Sequence, residues 1–359
     1  MEFRLAKIRV LTLDGGGMRG IYTAAFLNGL ADQFAKKRNV GPLDIGKGFD
    51  LIVGTSTGAI VACAAAIGLP MQTVVDLYAK NGKDIFPQKL KSGAGALTQI
   101  LGRSRQLKKG AEALRDALDG VLGDKTFADV HRDRGIALAI TAVEMSQQRS
   151  WIFKTGHLGG HRDDAVKLVD ACMASSAAPI YRSLAAIPVD DGLGGHRVFA
   201  DGGLWANNPV LVGLIDALKM GDGEIDVFSA GTFPRPEGER IGVNQLDRGF
   251  LEWKFGGAAA SLSIAAQEYA FDNMARMLAG EFTRLSRTVE TVRFPSGVLQ
   301  PALLPYLDLD DGSPEAASAL IDQARADLNV AMSACDDATS PVGKLIRDLF
   351  MSMPIAEGE

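Results

Sequence analysis

The fold is decided by the stretch Gly54-Thr55-Ser56-Thr57-Gly58, which follows the apolar run 49–53 and leads into the alanine-rich run 59–69. A short apolar run before the stretch and a longer one after it predict a strand-to-helix corner with a serine at its tip. The flanking glycines allow a sharp turn that exposes the hydroxyl. The pattern therefore predicts a nucleophile elbow, and a tight turn without catalysis is the structural alternative.

A second glycine-rich segment, Asp14-Gly15-Gly16-Gly17-Met18-Arg19-Gly20, lies between a strand-like run, 8–13, and a helical run, 21–34. Unshielded amides at a helix N-terminus suit a negative charge, either a fixed phosphate or an oxyanion formed during a reaction. The glycine spacing also fits a dinucleotide-binding loop, but no strand with a terminal acidic residue follows about twenty residues later. No Gly-Lys-Ser/Thr ending marks a P-loop. We therefore expect an oxyanion hole, with Arg19 favouring anions.

A third segment, Asp201-Gly202-Gly203, follows the strand-like run 196–200. A carboxylate at the end of a strand is a candidate general base. The structural alternative is an aspartate that closes a turn or caps the helix after Pro209.

The histidines narrow the choice of base. The sequence contains four, His131, His157, His161 and His196. None follows Asp201, so the usual Ser-Asp-His order of the α/β hydrolases is not met. Other folds use other orders, which leaves His157 and His161 open, although a solvated histidine is expected in their glycine-rich loop. The simplest mechanism is a Ser56/Asp201 dyad in which the carboxylate takes the hydroxyl proton.

The three segments, in this order and spacing, resemble the patatin-like phospholipases. A fourth segment, Ala174-Ser175-Ser176-Ala177-Ala178-Pro179-Ile180-Tyr181, is similar to the family's segment ahead of the catalytic strand. The resemblance implies a three-layer α/β/α sandwich with a mostly parallel central sheet. It also implies that no metal or other cofactor serves catalysis, and it assigns a nucleophile, a base and an oxyanion loop: Ser56, Asp201, and Gly15, Gly16, Gly17 and Arg19.

The implied reaction is the hydrolysis of fatty acyl esters of membrane phospholipids. A carboxylate is a weaker base than imidazole near neutral pH, so Asp201 should have a pKa raised by an apolar site. Two alternatives stay open. A soluble carboxylesterase or thioesterase would use the same dyad, and a non-catalytic lipid- or nucleotide-binding module would need no dyad.

Within the family, the glycine loop and the short chain look similar to bacterial antiphage effectors that degrade phospholipid after binding a cyclic nucleotide. This resemblance implies a cyclic dinucleotide activator. No motif in the sequence marks a site for it, so no residues are assigned.

A local excess of positive charge interrupts a chain whose net charge is -5. The segment 85–111 contains no acidic residue and six basic ones: Lys89, Lys91, Arg103, Arg105, Lys108 and Lys109. Basic and apolar residues mixed in this way suit anionic headgroups or a phosphorylated ligand. The segment is predicted to be a lid or regulatory insertion, and a solvated loop is the alternative.

Length and composition fit one large domain, since the 359 residues are 47% hydrophobic and 23% charged. We expect a catalytic core over 1–225 and a mainly helical continuation of the same domain over 226–359. The first residues lack the apolar run of a signal peptide, and the longest apolar run is too short to span a bilayer. These features predict a cytoplasmic protein that visits the inner face of the membrane, with membrane phospholipid as partner, no DNA or RNA, and a homo-oligomer as an open alternative.

Overall fold

A mixed β-sheet forms the centre of the computed structural model, which describes residues 7–86, 95–189, 195–235, 241–249, 253, 257–295, 297 and 299–357. Within these ranges the sheet has eight strands. They are β1 (Lys7–Leu13), β2 (Leu51–Thr55), β3 (Ala137–Glu144), β4 (Arg149–Lys154), β5 (Ala185–Pro188), β6 (His196–Asp201), β7 (Glu224–Ala230) and β8 (Val289–Phe294).

The strands run in the order β5-β6-β3-β2-β1-β7-β8, and β4 pairs with β3. The five strands β3, β2, β1, β7 and β8 run parallel to one another, whereas β4 and β6 pair antiparallel with β3, and β5 pairs antiparallel with β6. The sheet is therefore mostly parallel, and the predicted α/β architecture is confirmed. Because β7 and β8 extend the sheet beyond β1, the chain on both sides of residue 225 contributes strands to it.

Helices cover both faces of the sheet. Those of the described ranges are α1 (Gly20–Arg38), α2 (Thr57–Ala66), α3 (Met71–Ile85), α4 (Gly95–Leu122), α5 (Phe127–Asp129), α6 (Leu168–Ser175), α7 (Gly203–Ala206), α8 (Val210–Met220), α9 (Gly257–Arg284), α10 (Pro314–Asp336) and α11 (Pro341–Ser352). Short 3₁₀ or π turns connect several of them.

Alternating side chains of the central strands supply the two cores. Leu11 and Leu13 of β1 join a large cluster with α1, α2, α3, α6 and α10. Ile8 and Val10 point to the opposite face and join a smaller cluster with α8 and α9. Because successive strand residues face opposite sides, one strand sequence serves both layers. Strands buried on both faces read as nearly continuous apolar runs, as β1 and β2 do.

β2 and β6 share one edge of β3, whereas β4 pairs with residues 139–144 along the opposite edge. On the shared edge, β2 pairs with residues 137–141 and β6 with residues 142–144. Because β2 runs parallel to β3 and β6 runs antiparallel to it, the C-terminal ends of β2 and β6 meet.

The helical run predicted over 21–34 is α1, which is longer by a few residues. At the start of α10, Ser313 caps the helix by accepting a hydrogen bond from the Ala316 N–H at 3.1 Å. Cys63, Cys172 and Cys335 are buried free thiols.

Candidate active site

Ser56 occupies the tip of the corner between β2 and α2. Its backbone has φ 53° and ψ −121°, a conformation that L-residues rarely adopt and that costs about 1–3 kcal/mol. Gly54 lies within β2 opposite Leu13, and Gly58 lies in the first turn of α2. A Cβ on Gly58 would lie 2.2 Å from the Leu13 carbonyl oxygen, so only glycine fits this approach to β1. The predicted strand-to-helix corner is present, and its role as a nucleophile elbow stays a prediction.

Asp201 is the hydrogen-bond partner of the Ser56 hydroxyl. Ser56 Oγ donates to Asp201 Oδ2 at 2.8 Å, and the Gly203 N–H donates to Asp201 Oδ1 at 2.6 Å. Both side chains are nearly enclosed, since Ser56 is 7% and Asp201 6% exposed. The hydrogen bond from Gly203 fixes the orientation of the carboxylate so that Oδ2 faces the serine hydroxyl.

The enclosure changes the acidity of Asp201. Burial raises the pKa of its carboxyl from 3.8 to about 6, while the Gly203 N–H, the Ser56 hydroxyl and the Arg182 charge oppose that rise. A carboxylate with a pKa near 6 is ionised at neutral pH yet is a stronger base than an exposed aspartate. A raised pKa at Asp201 is what the predicted dyad requires of its base.

The glycine loop lies directly against the serine. An added Cβ on Gly15 would lie 3.1 Å from the Ser56 Cβ. The Gly15 N–H donates to the Asn207 carbonyl at 2.9 Å, so that amide is already engaged. The amides of Gly16 and Gly17 donate to no group in the part of the chain that the structure describes. Within the described ranges they are therefore the loop amides that no protein acceptor occupies.

Only glycine fits the backbone and the surroundings of position 17. Its φ is +58°, and a Cβ there would lie 2.2 Å from the Leu309 carbonyl oxygen. The same carbonyl accepts a hydrogen bond from the Met18 N–H at 2.9 Å. The segment before α10 thus contacts and supports the glycine loop, and no sequence pattern indicates this contact.

Arg19 supports the loop and faces acidic groups. Its Nε donates to the Gly16 carbonyl at 3.3 Å. Burial lowers the pKa of its guanidinium, whereas the charges of Glu268, Asp14 and Asp308 raise it. The predicted anion-binding charge of Arg19 is thus balanced by carboxylates of the protein.

Asn207 joins the loop to α9. Its Nδ2 donates to the Gly15 carbonyl at 3.2 Å and also to the Glu268 carboxylate. Its backbone N–H donates to Gln267 Oε1 at 2.9 Å. Asn207 lies close to Asp201 in sequence. The sequence around it does not predict its contact with the glycine loop, which lies near the start of the chain.

Asp14, at the start of the glycine loop, forms a buried ion pair with Arg293 of β8. Burial raises the pKa of the Asp14 carboxyl to about 6, and the Arg293 charge opposes that rise. Arg293 Nη1 also donates to Ser229 Oγ at 3.0 Å. The ion pair therefore ties the loop to β8, the strand at one end of the sheet. Sequence reasoning missed both residues.

No histidine completes a triad. All four histidines lie within the described ranges, and none hydrogen-bonds to Ser56 or Asp201. His161 is exposed and bonded to Asp164 at 2.8 Å. The prediction of a solvated His157 is wrong, because its side chain is 4% exposed and lies between Thr155, at 2.8 Å, and Asp216 of α8, at 3.5 Å.

The predicted basic segment is only partly described. Lys89 and Lys91 lie outside the described residues, and Arg103 lies in α4. Arg105, Lys108 and Lys109 are exposed on the same helix, so this part is helical rather than the solvated loop of the alternative interpretation. Lys108 lies 3.8 Å from Glu112.

Among the described helices, none is both long enough and apolar enough to cross a membrane.

Comparison with known proteins adds the family context. The family model described as patatin-like phospholipase matches residues 11–214, which include Ser56, Asp201 and the glycine loop. A cGAMP-activated phospholipase of Pseudomonas aeruginosa (strain BWHPSA011 / Pa011) is 34% identical over 278 residues, 76% of this chain and 75% of that protein. A cGAMP-activated phospholipase of Escherichia coli (strain TW11681) is 35% identical, over 62% of this chain and 59% of that protein.

A cUMP-AMP-activated phospholipase of Escherichia coli is 31% identical over 243 residues, 64% of this chain and 66% of that protein. The matched part of the chain thus spans from 59% to 75% of the lengths of these three relatives.

Proposed function

The chain belongs to the patatin-like phospholipase family of lipid acyl hydrolases, and on that premise we propose that Ser56 and Asp201 cleave fatty acyl esters of membrane phospholipids. The observation that carries this proposal is the 2.8 Å hydrogen bond from Ser56 Oγ to Asp201 Oδ2 at a strained strand-to-helix corner. A strained backbone at a buried polar pair is typical of a functional site.

In the first half of the reaction, Asp201 Oδ2 takes the hydroxyl proton as Ser56 Oγ attacks the ester carbonyl carbon. The electron pair of the carbonyl moves to its oxygen, and the free amides of Gly16 and Gly17 stabilise that charge. The intermediate then collapses and expels the lysolipid oxygen, which receives the proton from Asp201. The acyl group stays on Ser56 as an ester.

In the second half, water replaces the lysolipid. Asp201 takes a proton from the water as its oxygen attacks the acyl carbonyl, and the same amides bind the second oxyanion. The collapse releases the fatty acid, and Ser56 Oγ regains the proton from Asp201. Both halves use one base and one oxyanion site, and no step requires a metal ion or an organic cofactor.

The N-terminal ends of two helices support the developing charge. α2 begins at Thr57, directly after Ser56, and α1 begins at Gly20, directly after the glycine loop. Because a helix N-terminus carries partial positive charge, both helices favour an oxyanion at this point.

We also propose that a cyclic dinucleotide activates the enzyme in antiviral defence. The support is the three bacterial relatives, which are themselves cGAMP- or cUMP-AMP-activated phospholipases. The exposed cations Arg105, Lys108 and Lys109 of α4 suit either an anionic membrane surface or a phosphorylated activator. Membrane contact would be peripheral and at the inner face. A soluble esterase and a binding module are not favoured by these relatives.

The test measures fatty acid release from liposomes of phosphatidylethanolamine and phosphatidylglycerol, with and without a panel of cyclic dinucleotides. We expect release by the wild type with one nucleotide and none by Ser56→Ala. The matched control is Ser263→Ala, which removes an exposed hydroxyl of α9 and should retain activity. Release without any nucleotide would contradict the gating. Cleavage of short soluble esters but never of liposomes would favour a soluble esterase.

A further inference from the structure

The end of α6 and the turn that follows it contact both residues of the proposed dyad. The Ser56 N–H donates to Ser175 Oγ at 2.7 Å. The Asp201 N–H donates to the Ala177 carbonyl at 3.0 Å. The chain that follows Ala177 is therefore held beside the reacting atoms, and a charged side chain on it would act at short range on a bound substrate.

Arg182 is that charged side chain. Its N–H donates to the Ala178 carbonyl at 2.8 Å, which closes the turn. Its guanidinium lies over the Phe86 ring, 4.7 Å from the centroid, and Nη1 donates weakly to the Gly110 carbonyl at 3.5 Å. Burial lowers the pKa of Arg182 to about 10, and the guanidinium is close enough to Asp201 for each charge to shift the pKa of the other.

The charge of Arg182 is not neutralised by an ion pair. Among the residues that the structure describes, no ion pair joins a carboxylate to its guanidinium, and Asp201 is the one carboxylate whose charge raises its pKa. Arg19 differs, because the charges of three carboxylates, Glu268, Asp14 and Asp308, raise its pKa. A half-buried guanidinium without a carboxylate partner retains donors that fit a phosphate or carboxylate. Arg182 is therefore the cation that the proposed site offers to an anionic ligand.

We infer that Arg182 binds the phosphate of the phospholipid headgroup while the acyl ester lies at Ser56, so that it selects phospholipids over neutral esters. This inference rests on the function proposed above. In a glycerophospholipid the phosphate is joined to the acyl esters through the short glycerol unit, so a lipid whose ester reaches Ser56 brings its phosphate close. A diacylglycerol with the same acyl chains lacks the phosphate, so Arg182 does not strengthen its binding.

Two other roles of Arg182 predict different results. If it only lowered the pKa of Asp201, its removal would move the acid limb of the pH profile to higher pH for every substrate. If it only tied α4 to the turn through Gly110, its removal would lower stability and the cleavage of both substrate classes. The ratio of the two cleavage rates responds to phosphate binding and to neither alternative.

The experiment compares kcat/KM for soluble dihexanoyl phosphatidylglycerol and for dihexanoylglycerol at pH 8, with cGAMP present. The variants are Arg182→Gln, Arg182→Lys and, as the control, Arg325→Gln, which removes an exposed cation of α10. We expect Arg182→Gln to lower kcat/KM for the phospholipid roughly 10- to 100-fold, mainly through KM, and to leave that for the diacylglycerol almost unchanged. Arg182→Lys should restore part of the loss.

Equal losses for both lipids, or no loss for either, would overturn the inference while leaving the proposed function in place. Failure of the wild type to cleave either lipid in a Ser56-dependent manner would instead contradict the proposed function and the inference with it.

Discussion

Thr55 and Asp201 lie end to end along one edge of β3, with Thr55 opposite Thr141 and Asp201 opposite Ala142. Ser56 directly follows Thr55, so the pairing register of two strands brings the serine hydroxyl to the carboxylate. The dyad therefore depends on the sheet more than on its loops. A one-residue slip of β6 would turn Asp201 to the opposite face of the sheet.

The first prediction concerns the pH dependence of cleavage. Because Asp201 must be ionised to accept the proton, and burial raises its pKa to about 6, kcat/KM should be constant above pH 7. It should fall about tenfold per pH unit well below pH 6. A profile between pH 4.5 and 8 on a soluble ester measures this. Full activity down to pH 4.5 would show that Asp201 behaves as an ordinary exposed carboxyl.

The same shift predicts a stability change for Asp201→Asn. A carboxyl whose pKa is higher in the folded state contributes stability below pH 3.8, and this contribution is lost as the pH rises through about 6. The amide in the Asp201→Asn variant does not ionise, so the variant does not lose this stability as the pH rises. We expect the variant to be inactive and more stable than the wild type by about 1–3 kcal/mol at pH 8, with the difference shrinking toward pH 4. Thermal unfolding at both pH values checks this, and a less stable variant at pH 8 would refute it.

A third prediction concerns the approach of α2 to β1. Gly58→Ala would place a methyl group 2.2 Å from the Leu13 carbonyl oxygen and 2.6 Å from that of Asp14, both rigid backbone atoms. We expect a loss of at least about 3 kcal/mol in the free energy of unfolding, or insoluble protein.

The matched control for this substitution is Gly120→Ala in α4, where a Cβ would meet no heavy atom within 4 Å. Because alanine favours helix over glycine, the control should gain up to about 1 kcal/mol. Similar unfolding temperatures for the two variants would contradict the close approach.

A fourth prediction concerns the support of the elbow by Ser175. Its hydroxyl accepts the Ser56 N–H at 2.7 Å, so Ser175→Ala leaves a buried donor without its partner. We expect kcat to fall about tenfold, with KM little changed and about 1–3 kcal/mol lost in stability. Ser176→Ala is the control, because that hydroxyl donates to the Cys172 carbonyl instead, at 2.7 Å. Equal effects of the two variants on kcat would contradict a specific role of Ser175.

The local elements of the site were predictable from the sequence. Glycine spacing and apolar runs identify the corner at Ser56, because backbone sterics and strand length act over a few residues. Asp201 was predictable as well, since it ends a strand beside two glycines.

The parts that the sequence did not predict depend on distant pairings. Arg293 meets Asp14 across 279 positions of the chain, and Asn207 reaches Gly15 across 192. Which strands and helices become neighbours is decided by the global packing, which local periodicity does not encode. The burial of His157 was misjudged for the same reason, since α8 covers a glycine-rich loop that looks exposed in the sequence.

Covalent labelling with an alkyl fluorophosphonate, followed by peptide mass spectrometry, tests whether Ser56 is a nucleophile activated by Asp201. We expect one adduct, on Ser56, which is absent from Ser56→Ala and forms at least about 100-fold more slowly in Asp201→Asn at pH 8. An adduct on another residue, or equal labelling rates in the wild type and Asp201→Asn, would contradict it.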